Sequence, residues 1–531
     1  MNDRYNIVCR DDVASHASSD LRSVLERLLP VRFIRDEQAR GEIGGEISVE
    51  RSSGADGSLL RSRLRLSVSD AMSIDSTEVR ECATEFADDK DVPFPFRNRT
   101  VRANVGPLGE PLSLLPGEKV LAKGKDGPLW TMSETGGVRH FRSALPLPCI
   151  SAEQTFSDVF NGGRFFEMLV VLDFLRRVCA NTAFDNPPLR AAFIIDDPNL
   201  HWPRYGHVDY DEIATRANRE NYHVSFATIP LDTWFTHGPT ADLFRRNSER
   251  LSLLVHGNNH AKEELAGRYS AEARRALLRQ AIQRIERMEQ RANLKVCRVM
   301  VPPHGACSSE MLAELPRHGF EAACISSGSL RAHNKEQRWT KTVGFSTSET
   351  VEGCPVLPRW PMTGTARTSA LLAAYLGQAI ILRGHHQDLK GGVEIFDELA
   401  KFINQLGTVD WGNLTSISRR NYQARVDGTV CRIRPQSGRL LVEKIAGTTE
   451  VLIDDLDSPG SDWQIVLEDH SSRRIGPGES LTISRDWGPQ IRVERIAPTT
   501  GISIPLNKRR TSPRLVVRRL LTEARDRFLI S

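Results

Sequence analysis

Residues 190–197 read RAAFIIDD, and residues 251–260 read LSLLVHGNNH. Each joins a short apolar run to residues that carry protons or bind metals: Asp196 and Asp197 in the first, His256 and His260 in the second. Two further runs have the same form. CRVMV (297–301) leads into Pro302, Pro303, His304 and Gly305, and AIIL (379–382) leads into Arg383, Gly384, His385 and His386. HVSFATI (223–229) and AACIS (322–326) extend the series. Between the runs lie amphipathic stretches such as 271–292, where Leu277, Leu278, Ala281, Ile282, Ile285 and Met288 fall on one helical face. Continuous apolar strands alternating with helices predict a parallel sheet covered on both faces. About six or seven such units fit an α/β fold of the complete or partial β/α-barrel kind, here over residues 185–418. In a barrel the C-terminal strand ends gather on one rim, where catalytic groups collect.

The flanks differ in texture. Residues 1–180 open with a predicted strand (5–9), a helix near 19–29 and a strand near 31–34. Two short strands follow in the Gly-rich stretch 118–142, and then the apolar helix 165–178. This zone predicts a small accessory α/β domain without visible chemistry. Residues 419–531 carry short alternating runs (CRIRPQ, RLLVEKI, TEVLIDDL, DWQIVLED, SLTIS, QIRVERI) separated by Gly, Pro and Asp turns, and predict a β-sandwich-like domain.

The 531 residues carry 71 Lys+Arg against 67 Asp+Glu, a net charge of +4. That balance gives no reason to expect nucleic acid as partner. The basic run Lys508, Arg509, Arg510, Arg514, Arg518 and Arg519 reads as a solvated tail or helix face. The longest apolar stretch, 370–382, is interrupted by Gly377 and Gln378 and too short to span a bilayer. Nine scattered cysteines with no CxxC spacing indicate free thiols in a reducing compartment. With no apolar leader in MNDRYNIVCRDD, the expected location is cytoplasmic.

Each motif alone has a plain structural reading. An Asp-Asp pair after a strand is commonly a turn or helix cap, a Pro-Pro loop is a stiff connection, and paired histidines occur on surfaces. Four such motifs, each at a strand end, weigh the other way. One carboxylate and two imidazoles are a three-ligand set for zinc or a similar divalent ion, with a position left for water. A second carboxylate then serves as general base, and a further His can protonate a leaving group.

The order DD, HxxxH, PPxG and a late strand ending in His resembles the NodB-type polysaccharide deacetylase superfamily over roughly residues 185–415, as a divergent branch. The resemblance implies a distorted or partial barrel and metal-dependent hydrolysis of an N- or O-acetyl group. It implies Asp196 as general base and Asp197, His256 and His260 as ligands of a divalent metal, Zn2+ foremost. Pro303 and His304 would lie in the loop whose backbone N–H holds the oxyanion. His385 is the implied acid, with His386 competing. The arginine that braces the base in that family is absent before Pro302, where Val301 stands; Arg359, in LPRWP, is placed along the chain to substitute. The first zone weakly resembles a non-catalytic glutamine-amidotransferase-like domain.

The expectation is thus a metal-dependent deacetylase acting on an acetylated saccharide, a saccharide precursor, a lipid-linked intermediate or a modified small molecule. The alternative is a non-catalytic saccharide-binding or scaffolding protein on a degenerate barrel. Glycoside cleavage would need two carboxylates spanning a glycosidic bond, and only the adjacent Asp196 and Asp197 are offered.

Overall fold

The computed structural model describes residues 4–9, 19–35, 38, 43–50, 63–69, 80–105, 110–162, 164–456, 460–467, 471–482, 489–496 and 512–528. The chain divides into two compact units: Met1–Ala183 with Trp339–Phe345, and Phe184–Arg338 with Ser346–Ser531.

The first unit is larger in sheet than its sequence predicts. One nine-stranded sheet includes Ile43–Glu50, Leu64–Ser69, Arg80–Phe86 and Thr100–Val105 as well as the predicted Tyr5–Cys9 and Val31–Arg35. The stretch 118–142 supplies three strands, Lys119–Lys123, Pro128–Thr135 and Val138–Ser143, where two were expected. The strand IGGEISVE hides behind two glycines that read as a turn. They serve close packing instead. A Cβ on Gly44 would lie 2.7 Å from Val178 Cγ1, and one on Gly45 would lie 2.8 Å from Val178 Cγ2, so the helix Phe165–Val178 can seat directly on this strand.

The second unit holds a ten-stranded sheet. Its parallel strands run in the order Cys354–Leu357, Ala322–Cys324, Val296–Met300, Leu251–Val255, Val224–Thr228, Arg190–Asp196, Ile380–His385 and Trp360–Pro361. Asp410–Trp411 also pairs with the start of Arg190–Asp196, and Glu349–Val351 adds one antiparallel edge. Among the described residues the two edges do not join, so the barrel is partial. Side chains alternate along each strand. Ala192, Ile194, Ala227, Leu254, Val299, Val301 and Ile381 form one buried layer, closed by Leu414 and Ile417. Phe193 points to the other face, with ring centroids 5.0 Å from Phe396 and 5.2 Å from Trp411. Arg190 pins the N-terminal end of its strand, donating to Gly377 O (2.8 Å) and Asn421 Oδ1 (2.9 Å).

Eight strands between Tyr422 and Arg495 form two four-stranded sheets that share one apolar cluster, including Ile433, Val451, Trp463 and Val493. Arg514, Arg518 and Arg519 lie on a helix, Pro513–Phe528. Lys508, Arg509 and Arg510 lie outside the described residues. The solvated reading fails for Arg519: it is 6% exposed, and its Nη2 donates to Asp232 Oδ2 at 2.6 Å. All nine cysteines are free. No described helix is long and apolar enough to cross a membrane.

Candidate metal centre

The strand period sets up the site. Asp196 shares the inner face with Ala192 and Ile194, His256 with Leu254, and His385 with Ile381. Asp196 and His385 also sit opposite each other in parallel register.

Asp197 leaves the strand with φ of 84°, a conformation unusual for a side chain larger than glycine. The turn carries its carboxylate toward the histidines. Asp197 Oδ1 lies 3.3 Å from His256 Nε2 and 3.0 Å from His260 Nε2. It is nevertheless buried without a hydrogen bond of acceptable geometry. His256 Nδ1 is 2.7 Å from Val301 O. A carbonyl oxygen can only accept, so Nδ1 carries a proton and Nε2 is the ring nitrogen turned toward the carboxylate. Two imidazole nitrogens and one carboxylate oxygen thus converge on one point, a donor set that suits a divalent cation. Burial opposes charge on both groups, yet Asp197 is held well below the ordinary carboxylate range by the two imidazoles, and His256 is pushed up by Asp197 and then Asp196. Among the described residues these three are the group whose ligand atoms all lie within 4.8 Å of one another. The donors, two imidazoles and one carboxylate with room for water, fit zinc.

The loop carrying the histidines is built around a residue that motif reading passed over. Buried Glu264 accepts from the backbone N–H groups of Asn258 (2.6 Å), Asn259 (2.9 Å) and His260 (2.9 Å). Arg284 donates to Asn258 Oδ1 (2.5 Å) and Asn259 Oδ1 (2.9 Å). Gly257 takes φ of 61°, and a Cβ there would meet Glu264 Oε1 at 2.5 Å and Pro303 Cγ at 2.7 Å. The glycine thus permits both the turn and the contact with the Pro-Pro loop. An acid four residues past the second His was the available signal.

Arg359 donates from Nη1 to both carboxylate oxygens of Asp196, at 3.1 and 3.0 Å. Burial again opposes ionisation of Asp196; Arg359, then His256 and His385, outweigh it and lower its pKa. His385 donates its backbone N–H to Asp388 Oδ2 at 2.8 Å. His386 is buried, with its ring centroid 5.6 Å from Tyr205 and 6.1 Å from His207. A Cβ on Gly206 would approach its Nδ1 to 2.3 Å.

In the Pro302–Gly305 loop neither proline has an N–H to give. The N–H groups of Gly305 and Ala306 are taken by Pro302 O and Pro303 O, each at 3.0 Å. His304, at φ of 56°, is the residue left with a backbone donor. Pro303 contributes shape through its contact with Gly257. The His304 ring lies 5.2 Å from that of His260, and its pKa is lowered by burial and then by His260.

No protein-family model matches the chain, and no curated protein sequence matches it. Among solved structures, the chain is similar to Agd3, described as a novel carbohydrate deacetylase, with TM-score 0.48, 10% identity, and coverage of 93% of this chain and 99% of that one. It is also similar to a family 4 carbohydrate esterase from Streptomyces lividans in complex with acetate (TM-score 0.25, 10% identity, 42% and 89% covered). A third is BA3943 from Bacillus anthracis, a family 4 pseudoenzyme (TM-score 0.27, 13% identity, 42% and 63% covered).

Proposed function

We propose that this chain is a metal-dependent hydrolase that removes an acetyl group from an N- or O-acetylated saccharide or related intermediate. Asp197, His256 and His260 are its ligands for one divalent ion, with zinc preferred. The observation that carries this reading is Asp197 Oδ1, buried, without a hydrogen bond, and facing two imidazole Nε2 atoms at 3.3 and 3.0 Å. The acetyl and saccharide parts come from the order of the four motifs.

Such an ion, when bound, polarises a carbonyl oxygen and makes water a nucleophile near neutral pH. Asp196, kept ionised by Arg359, takes the proton of the attacking water. The His304 N–H donates to the developing oxyanion. His385, across the register from Asp196, delivers a proton to the departing amine or alkoxide. The braced Asp196 favours this reading over a non-catalytic scaffold, because a scaffold has no need of a buried carboxylate held ionised beside a metal set. Asp197 is committed to the histidines, so it cannot be one of a pair of carboxylates across a glycosidic bond.

The test is elemental analysis of the purified chain with acetate release from a panel of N- and O-acetylated saccharides. About one ion per chain and acetate release that stops in Asp196→Asn, with metal retained, are expected. Full metal content in both His256→Ala and His260→Ala would overturn the ligand assignment.

A further inference from the structure

Beside the metal loop lies a cavity of 420 Å³, lined among others by Trp234, Arg284, Arg287, Arg291, Val516 and Leu520. Arg284, Arg287 and Arg291 recur at i, i+3 and i+7 on one face of the helix Ala271–Ala292. Like charges at this spacing repel along a helix. The carboxylates that border the cavity have partners of their own. Asp232 is held by Arg519, and Glu523 lies 3.0 Å from His201 Nδ1. Arg291 donates to the Thr233 carbonyl, a neutral acceptor, and among the described residues neither Arg287 nor Arg291 has a carboxylate partner. The lining also holds apolar side chains open to solvent: Trp234 is 63% exposed and Leu520 48%. Val517 and Leu521 continue the exposed apolar surface along the same helix.

Guanidinium groups and exposed apolar side chains in one lining suit a ligand with both characters. We propose that this cavity binds a phosphate group that carries an apolar chain. Guanidinium forks match the several oxygens of a phosphate, and Trp234, Val516 and Leu520 cover the first carbons of the chain. The position links the cavity to the metal site. Arg284 on its wall holds Asn258 and Asn259, between the two ligand histidines. His201, four residues after Asp197, packs its ring 4.9 Å from that of Trp234. A phosphate anchored here tethers what it carries near the strand-end rim. That the ligand is the carrier of the acetylated saccharide rests on the deacetylase reading; the binding itself does not.

The test uses the full chain in chelator, so that phosphate has no metal to bind. Hexyl phosphate, inorganic phosphate and hexanol are titrated by calorimetry. Hexyl phosphate is expected to bind at least about tenfold tighter than either of the others. Arg287→Gln, an exposed change, should weaken hexyl phosphate about tenfold and leave hexanol and the unfolding temperature unchanged. Hexyl phosphate that binds no tighter than inorganic phosphate, or equally well to Arg287→Gln, would overturn the proposal. Co-sedimentation with phosphatidylglycerol but not phosphatidylcholine vesicles, lost in Arg287→Gln, would assign the phosphate to a membrane headgroup. Hexyl phosphate binding without sedimentation would assign it to single amphiphiles. Acetate release with normal metal content and no hexyl phosphate binding sinks the cavity alone, whereas hexyl phosphate binding by a chain that takes up no metal sinks the deacetylase reading alone.

Discussion

Arg359 Nη1 lies 3.1 and 3.0 Å from the two oxygens of Asp196, and both side chains are 4% exposed. The pair bridges 163 positions of sequence. Removing one partner of a buried ion pair leaves an uncompensated charge at a cost of about 3–5 kcal/mol. Arg359→Met should therefore lower urea stability by that order. It should also raise the Asp196 pKa, since Arg359 is the leading influence holding it down. The acid limb of kcat/KM then moves to higher pH, with metal content kept. An unmoved acid limb would remove Asp196 from the role of base.

Ligand binding to the folded chain alone stabilises it. Zinc at a hundred times its Kd should add ~2.7 kcal/mol in chemical unfolding. Asp197→Asn, which removes the carboxylate 3.0 Å from His260 Nε2, should abolish most of that gain. Equal zinc stabilisation of the two proteins would place the ion elsewhere.

Glu264 fixes the loop between the ligand histidines through three backbone N–H groups. Groups that orient metal ligands typically govern 10–100-fold in affinity or activity, so Glu264→Ala should weaken zinc binding by about that factor. Competition with a chromophoric chelator reads this directly. Unchanged affinity would mean that Gly257 and Arg284 hold the loop unaided.

His385 and His386 are adjacent in sequence but separate in place. His385→Ala should slow an acetamide far more than an activated acetyl ester, because only the poor leaving group needs a proton. His386→Ala should act mainly on stability, since that ring is buried beside Tyr205 and His207. Equal losses on both substrates for His385→Ala would overturn its role as acid.

His223 is wholly buried between Glu249 O and Ser252 Oγ, and burial lowers its pKa from 6.5 to about 4. The unfolded chain therefore binds the extra proton between pH 6.5 and 4. The neutral ring's contribution is complete above pH 6.5 and is lost as the pH falls toward 4, by about 3 kcal/mol in all. The stability difference between the natural protein and His223→Asn should shrink across that window. A difference that does not change with pH would show that His223 is protonated in the fold.

The sequence by itself determined the parallel strands and the chemistry at their ends. Strand period and apolar runs are local properties, so RAAFIIDD and LSLLVHGNNH could be read as strands that deliver acids and imidazoles. The same period separates His385 from His386. What it left open lay in contacts distant along the chain or in glycines that look like turns. Gly44 and Gly45 concealed a central strand because their role is to let Val178 approach. Arg519 read as solvated because Asp232, its partner, lies 287 positions away. Only the tertiary structure placed Arg359 against Asp196 and Asp197 Oδ1 between two imidazoles. Those distances follow from the lateral order of strands, which sets Arg190–Asp196 between Val224–Thr228 and Ile380–His385. No local periodicity encodes that order; it is fixed by which apolar faces can be buried together.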